Sequence, residues 1–147
     1  WLIEQYQRPA NRALARAGGK FTVPSDIHTM ARRASRVVSL GTTAGEGWLL
    51  TAEMMELLES GTPNIICAQP FACLPNHVVG KGMFRELRKL YPEANVVSID
   101  YDPGASEVNQ LNRIKLMVAT AHKNGGRIRG EARRLDITPV QRPLVEA

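Results

Sequence analysis

A chain of 147 residues can bury one good hydrophobic core, and 44% hydrophobic with 22% charged residues is the balance of a globular domain rather than a disordered or fibrous chain. No run approaches the ~18 uncharged apolar residues needed to span a bilayer, and two cysteines are too few for the disulfide framework of a small secreted fold, which favours a reducing cytoplasm. The net charge of +5 raises nucleic acid as a partner, but aromatics at 5% are too sparse for a base-stacking platform, and the arginines divide between one helix end (Arg32, Arg33, Arg36) and the tail (Arg127, Arg129, Arg133, Arg134, Arg142) as solvated surface.

The opening stretch WLIEQYQRPANR has neither the order of a signal peptide nor an initiator methionine, so residues 1–24 read as a helical lead-in within a longer chain. Pro24, Ser25 and Asp26 make a helix start, and Ile27, Met30, Ala31 and Ala34 follow at helical intervals. RVVSL, residues 36–40, reads as a short buried strand. GEGWLLTAEMMELLESG predicts a helix with Leu50, Met54, Leu57 and Leu58 on one face and a stop at Gly61.

After Pro63, NIICAQ is a β-branched run with the length of a buried parallel strand. A helix from about Asn76 to Tyr91 should bury Met83, Phe84, Leu87 and Tyr91, and NVVSID, residues 95–100, should form a second strand. YDPGASEVNQLNRIKLMVATAHKNGG then turns into a helix facing Val108, Leu111, Ile114 and Val118 inward. Residues 124–147 carry no period and two prolines, and read as an extended tail or linker.

Strand, helix, strand and helix joined this closely imply right-handed βαβ units and a parallel sheet. The expectation over residues 25–123 is an α/β domain, a three-layer α/β/α arrangement with a short parallel sheet of flavodoxin or Rossmann-like kind.

Ligands of such sheets gather beyond the carboxyl ends of the strands. Cys67, Gln69, Phe71 and Cys73 fall there after the first strand, and Asp100, Asp102 and Ser106 after the second. Cys67 ends an apolar run and is expected in the core, as free cysteines often are. Cys73 lies past the strand beside Pro75, at the rim, where the positive end of a helix favours thiolate. Asn76 and His77 follow in the first helical turn; His77 reads as a surface residue or a ligand.

The spacing Cys-x5-Cys is neither a zinc-ribbon nor a thioredoxin motif. AGEGW, residues 44–48, is a tight lead-in loop with Glu46 near a helix start, or a loop whose amides face an anion. No phosphate loop, dinucleotide fingerprint or nucleophile elbow occurs. Asp100 and Asp102 read as helix-capping or ligand-touching carboxylates.

Taken together, GEGWLL, NIICAQPFACLPNHVVGKG and SIDYDPGASEVNQLNRI resemble the C-terminal part of the 2-hydroxyacyl-CoA dehydratase activase-related proteins of anaerobic bacteria. The resemblance covers about residues 35–122. It implies a dehydratase-like domain that contributes cysteine ligands to an iron–sulfur cluster used in electron transfer or 2-hydroxyacyl-CoA dehydration. Cys73 matches the family thiol that follows a strand, Cys67 resembles a second one, and Arg113 falls where those enzymes carry a helical arginine. The implied partners are the remaining domains of the parent chain, an activase ATPase and an acyl-CoA. With two cysteines here, the other ligands would come from elsewhere in the parent, and the isolated chain is expected to be inactive. The alternative is a non-catalytic docking or CoA- or nucleotide-binding module with structural thiols.

Overall fold

The computed structural model describes residues 1–19 and 21–125, so the predicted tail lies outside the described residues except for its first two positions. The fold is α/β: a two-stranded parallel sheet with five α-helices among the described residues.

Helix α1 spans Leu2–Arg16 and buries no residue. Helix α2, Ile27–Ala34, begins where the sequence predicts. Asp26 Oδ1 accepts the His28 and Thr29 amide N–H groups at 3.0 Å each, and its Oδ2 accepts the Thr29 hydroxyl at 2.6 Å. The Thr29 hydroxyl and amide bonds are the main causes that lower the Asp26 carboxyl from 3.8 to about 2.

The expected strand at 36–40 is absent: the chain turns there. Both the Val37 and Val38 N–H groups bond back to the Ala34 carbonyl, at 2.9 and 2.8 Å, so this backbone closes α2 instead of joining a sheet. The two valines still pack against the core.

Helix α3, Trp48–Glu59, packs Ala52 against Met30 and Ala34 of α2. Arg33 Nε lies 2.6 Å from Glu59, Arg33 Nη1 3.3 Å from Glu56 and Arg36 Nη1 3.1 Å from Glu59, while the Tyr91 hydroxyl donates to Glu59 at 2.7 Å. Arg33 therefore ties α2, and Arg36 the turn after it, to α3 rather than standing as free surface charge. The inward face of α3 also differs from expectation. Thr51, Ala52, Met54, Met55 and Leu58 are buried, whereas Leu57 is exposed and Leu50 only partly covered. Two elements press on this helix from different sides, so its buried surface is wider than one stripe.

Strands β1, Asn64–Gln69, and β2, Asn95–Asp100, pair in parallel with Asn64 opposite Asn95 and Gln69 opposite Asp100. Ile65, Cys67 and Val96 from one sheet face join Met54, Met55, Leu58, Phe84, Leu87 and Tyr91 in the core. The segment between the strands is helical but not uniformly so. A π-helical turn at Asn76–Gly80 and a 3-10 turn at Lys81–Met83 precede α4, Phe84–Leu90. Phe84, Leu87 and Tyr91 are buried as expected; Met83 is only partly covered. Gly80 explains the local distortion. A Cβ there would stand 3.1 Å from Leu50 Cδ2 and 3.2 Å from Cys67 Sγ, so the backbone is pressed onto α3 and β1. The buried Thr51 hydroxyl donates to the Val79 carbonyl at 2.5 Å across the same contact.

Helix α5, Glu107–Gly125, lies along the outer edge of β2. Gln110 Nε2 donates to Asp100 O at 2.7 Å, Arg113 Nη1 to Ser98 O at 3.0 Å, and Asn95 Nδ2 to Met117 O at 2.9 Å. The helix buries none of its residues. Val108, Leu111 and Val118, expected to face inward, are exposed, and Ile114 is partly covered. Its polar stripe faces β2 because the strand's edge carbonyls need donors.

Candidate functional site

The loop after β1 carries one of the two thiols of the site, Cys73. Ala72 adopts φ +57°, a left-handed conformation that costs an L-residue about 1–2 kcal/mol. Cys73 N–H then bonds to Pro70 O at 3.2 Å, and Cys73 O accepts the His77 N–H at 3.0 Å, which starts the helical run. This strained turn lifts Cys73 to a partly exposed rim position, while Cys67 remains buried in the sheet face.

Asn76, itself buried, links the two. The Cys67 thiol donates to Asn76 Oδ1 at 3.4 Å, and Asn76 Nδ2 donates to Cys73 Sγ at 3.1 Å. The directions are opposite, so the amide treats Cys67 as a protonated donor and Cys73 as an acceptor. Burial pushes the Cys67 thiol up, and the nearby Cys73 adds to the effect. Asn76 stands out in the sequence only as a polar residue three positions past Cys73; its bridging role depends on the π turn.

The loop 44–48 abuts this rim, since a Cβ on Gly45, at φ +59°, would lie 2.7 Å from Pro75 Cγ. Several amides at its helix end are bonded internally. Gly47, Trp48, Leu49 and Leu50 N–H groups bond to the Ala44, Thr42, Glu46 and Gly47 carbonyls at 3.1, 2.9, 3.2 and 3.3 Å. Glu46 is exposed on this loop. His77 is exposed as well.

The remaining expected residues except Gln69 gather in a separate cleft of about 490 Å³. It is lined by Phe71, Asp100, Asp102, Ser106, Gln110 and Arg113 among others, and Cys73 is not part of its wall. Asp102 accepts the Phe71 N–H, which ties the β1 loop to the β2 loop. Gln69, almost fully buried, donates from Nε2 to Asp100 Oδ1 at 2.7 Å, and its Oε1 has no partner among the described residues. Arg113 reaches the cleft wall while its Nη1 holds the Ser98 carbonyl. Asn109 and Gln110 line the cleft unannounced by any sequence signal beyond their helical spacing from Ser106.

The carboxyl edge thus splits into a thiol rim (Cys67, Cys73, Asn76) and a polar cleft (Asp100, Asp102, Arg113). Of the rim residues, Cys73 is the one that could hold a metal or cluster, being partly exposed and receiving an N–H···S bond from Asn76. Cys67 is oriented as a core donor. Among the described residues no group of three or more His, Cys, Asp or Glu side chains is placed to hold a metal ion. Comparison of the chain with protein-family models, with curated proteins and with solved structures found no match.

Proposed function

We propose that this chain is a dehydratase-like domain of the acyl-CoA dehydratase activase-related kind, flavodoxin-like with three layers in its parent protein, and working in a reducing cytoplasm. In this reading Cys73 supplies one thiolate to an iron–sulfur cluster, and ligands outside the chain complete it. When bound, such a cluster supplies one-electron transfer. The observation that carries the reading is the rim thiol of Cys73, held by a strained turn and receiving the Asn76 amide at 3.1 Å. Asn76 offsets negative charge on the Cys73 sulfur and fixes its direction, while Cys67 anchors the other end of the amide from within the core. An activase ATPase and an acyl-CoA are the partners this function requires.

The cleft favours a second reading, a module that binds CoA or a nucleotide. Its volume suits a small ligand, with Phe71 as a stacking surface and Asp100 and Asp102 as acceptors for ribose hydroxyls. Both carboxylates oppose a phosphate in the same place, so the thiol reading leads.

Iron and acid-labile sulfide, measured on the anoxically purified parent protein, test the proposal. The parent should hold stoichiometric cluster, Cys73→Ser should lose it with the melting midpoint little changed, and the 147-residue chain alone should be colourless. Full cluster content in Cys73→Ser would overturn the ligand assignment.

A further inference from the structure

The two edges of the sheet are unequal. Asn95 N–H bonds to Pro63 O and Tyr101 N–H to Gln69 O, at 2.8 Å each, so the odd-numbered residues of both strands point their backbone groups at each other. The even-numbered residues point outward. On β2 those outward carbonyls are all taken: Val96 O by Arg88 Nη2 at 2.9 Å, Ser98 O by Arg113 and Asp100 O by Gln110. On β1 the outward backbone groups of Asn64, Ile66 and Ala68 have no partner among the described residues. Ile66 is 44% exposed, a high value for an isoleucine at the middle of a strand.

Beside that edge runs a groove of about 220 Å³ between β1 and α3. Its α3 wall is Leu50, Glu53, Met54 and Leu57, a stripe at helical spacing on which Leu50 is partly and Leu57 largely uncovered while Met54 is buried. Glu53 pairs with no cation among the described residues. Partial burial pushes its carboxyl up, with the Glu56 and Glu46 charges adding.

We infer that the outer edge of β1 is a docking site for an extended polypeptide segment, which adds as a third strand, lays aliphatic side chains on Leu50 and Leu57, and brings a lysine or arginine to Glu53. The open hydrogen-bonding row supplies the backbone half of the recognition, and the groove the side-chain half. The unpaired carboxylate decides the occupant. A second copy of this chain pairing edge to edge through its own β1 would offer Asn64, Ile66 and Ala68, with no cation, and would set another Glu53 against the same groove.

The test uses the whole chain and a blocked peptide, acetyl-Val-Thr-Lys-Thr-Val-Thr-amide, whose two valines and lysine share one face of the extended strand, with amide hydrogen exchange read residue by residue. Without peptide, the Ile66 and Ala68 amides should exchange freely while Cys67 is protected. Saturating peptide should slow Ile66 and Ala68 at least about tenfold, and the same peptide N-methylated at alternate residues should not. Glu53→Gln should weaken binding about threefold, the size expected of a partly exposed ion pair. No change in Ile66 and Ala68 exchange with the peptide would overturn the inference. So would protection of both amides in the chain alone: if it fades on dilution the edge belongs to a second copy, and if it does not, residues 126–147 of the same chain fill it.

Discussion

The bridge from Cys67 through Asn76 to Cys73 predicts a large difference in thiol reactivity. Cys73 is partly exposed, so a bulky maleimide should reach it in the native chain. Cys67 is 6% exposed and donates its proton to Asn76, so it reacts only when β1 and the π turn separate. A local opening of about 3–5 kcal/mol makes the open form rarer by a factor on the order of 10²–10⁴, and that factor carries into the rate. The raised thiol of Cys67 widens the gap at pH 7, since thiolate is the reacting form. Asn76→Ala removes the acceptor of a buried S–H and leaves a void beside it. A loss of about 1–2 kcal/mol at that contact should speed Cys67 labelling about tenfold and Cys73 much less. The assay is timed labelling of the native chain, quenching, digestion and mass spectrometry of the two cysteine peptides. Labelling of Cys67 within tenfold of Cys73 in the unsubstituted chain would refute the reasoning, because the burial contrast would then not exist in solution.

Asp26→Ala should lower the melting midpoint at pH 7 by uncapping α2. The folded carboxyl sits below its ordinary value, so its stabilisation is complete above 3.8 and is lost as the pH falls through about 2. The gap between variant and wild type should therefore close over that window, and a pH-independent gap in thermal melts would count against the cap. Thr51→Val keeps the shape of a side chain that is fully buried but strands the Val79 carbonyl, and should cost about 1–3 kcal/mol by urea unfolding. Thr51→Ser should recover most of it; a valine variant as stable as wild type would show that the hydroxyl does not hold the π turn.

How much of this was legible beforehand varies by element. NIICAQ and NVVSID announced themselves, because a β-branched run between turn signals is favoured as strand, and their parallel pairing followed from the helical crossover between them. The α2 cap was equally local, requiring only Asp26 and the two amides that follow it. RVVSL has the same chemistry as those strands and still became a turn. Whether such a run finds a strand to pair with is not written in the run, and α2 claimed its amides first.

The same holds for the site. Periodicity marked Leu111 and Val118 as the inner face of α5, yet the helix set Gln110 and Arg113 against β2. Unpaired edge carbonyls at Ser98 and Asp100 drew those donors, and no hydrophobic pattern encodes that need. The carboxyl-edge residues were nameable from topology alone, since cysteines and aspartates after strands must lie at that end. Their division into a thiol rim and a separate cleft was decided by contacts distant in sequence: Phe71 with Asp102, Gln69 with Asp100, Gly80 against Cys67. Local sequence determines where helix caps, turn signals and β-branched runs fall, because those depend on neighbours along the chain. Which side chains meet depends on satisfying buried polar groups and filling space across the whole fold, and only the tertiary structure settles it.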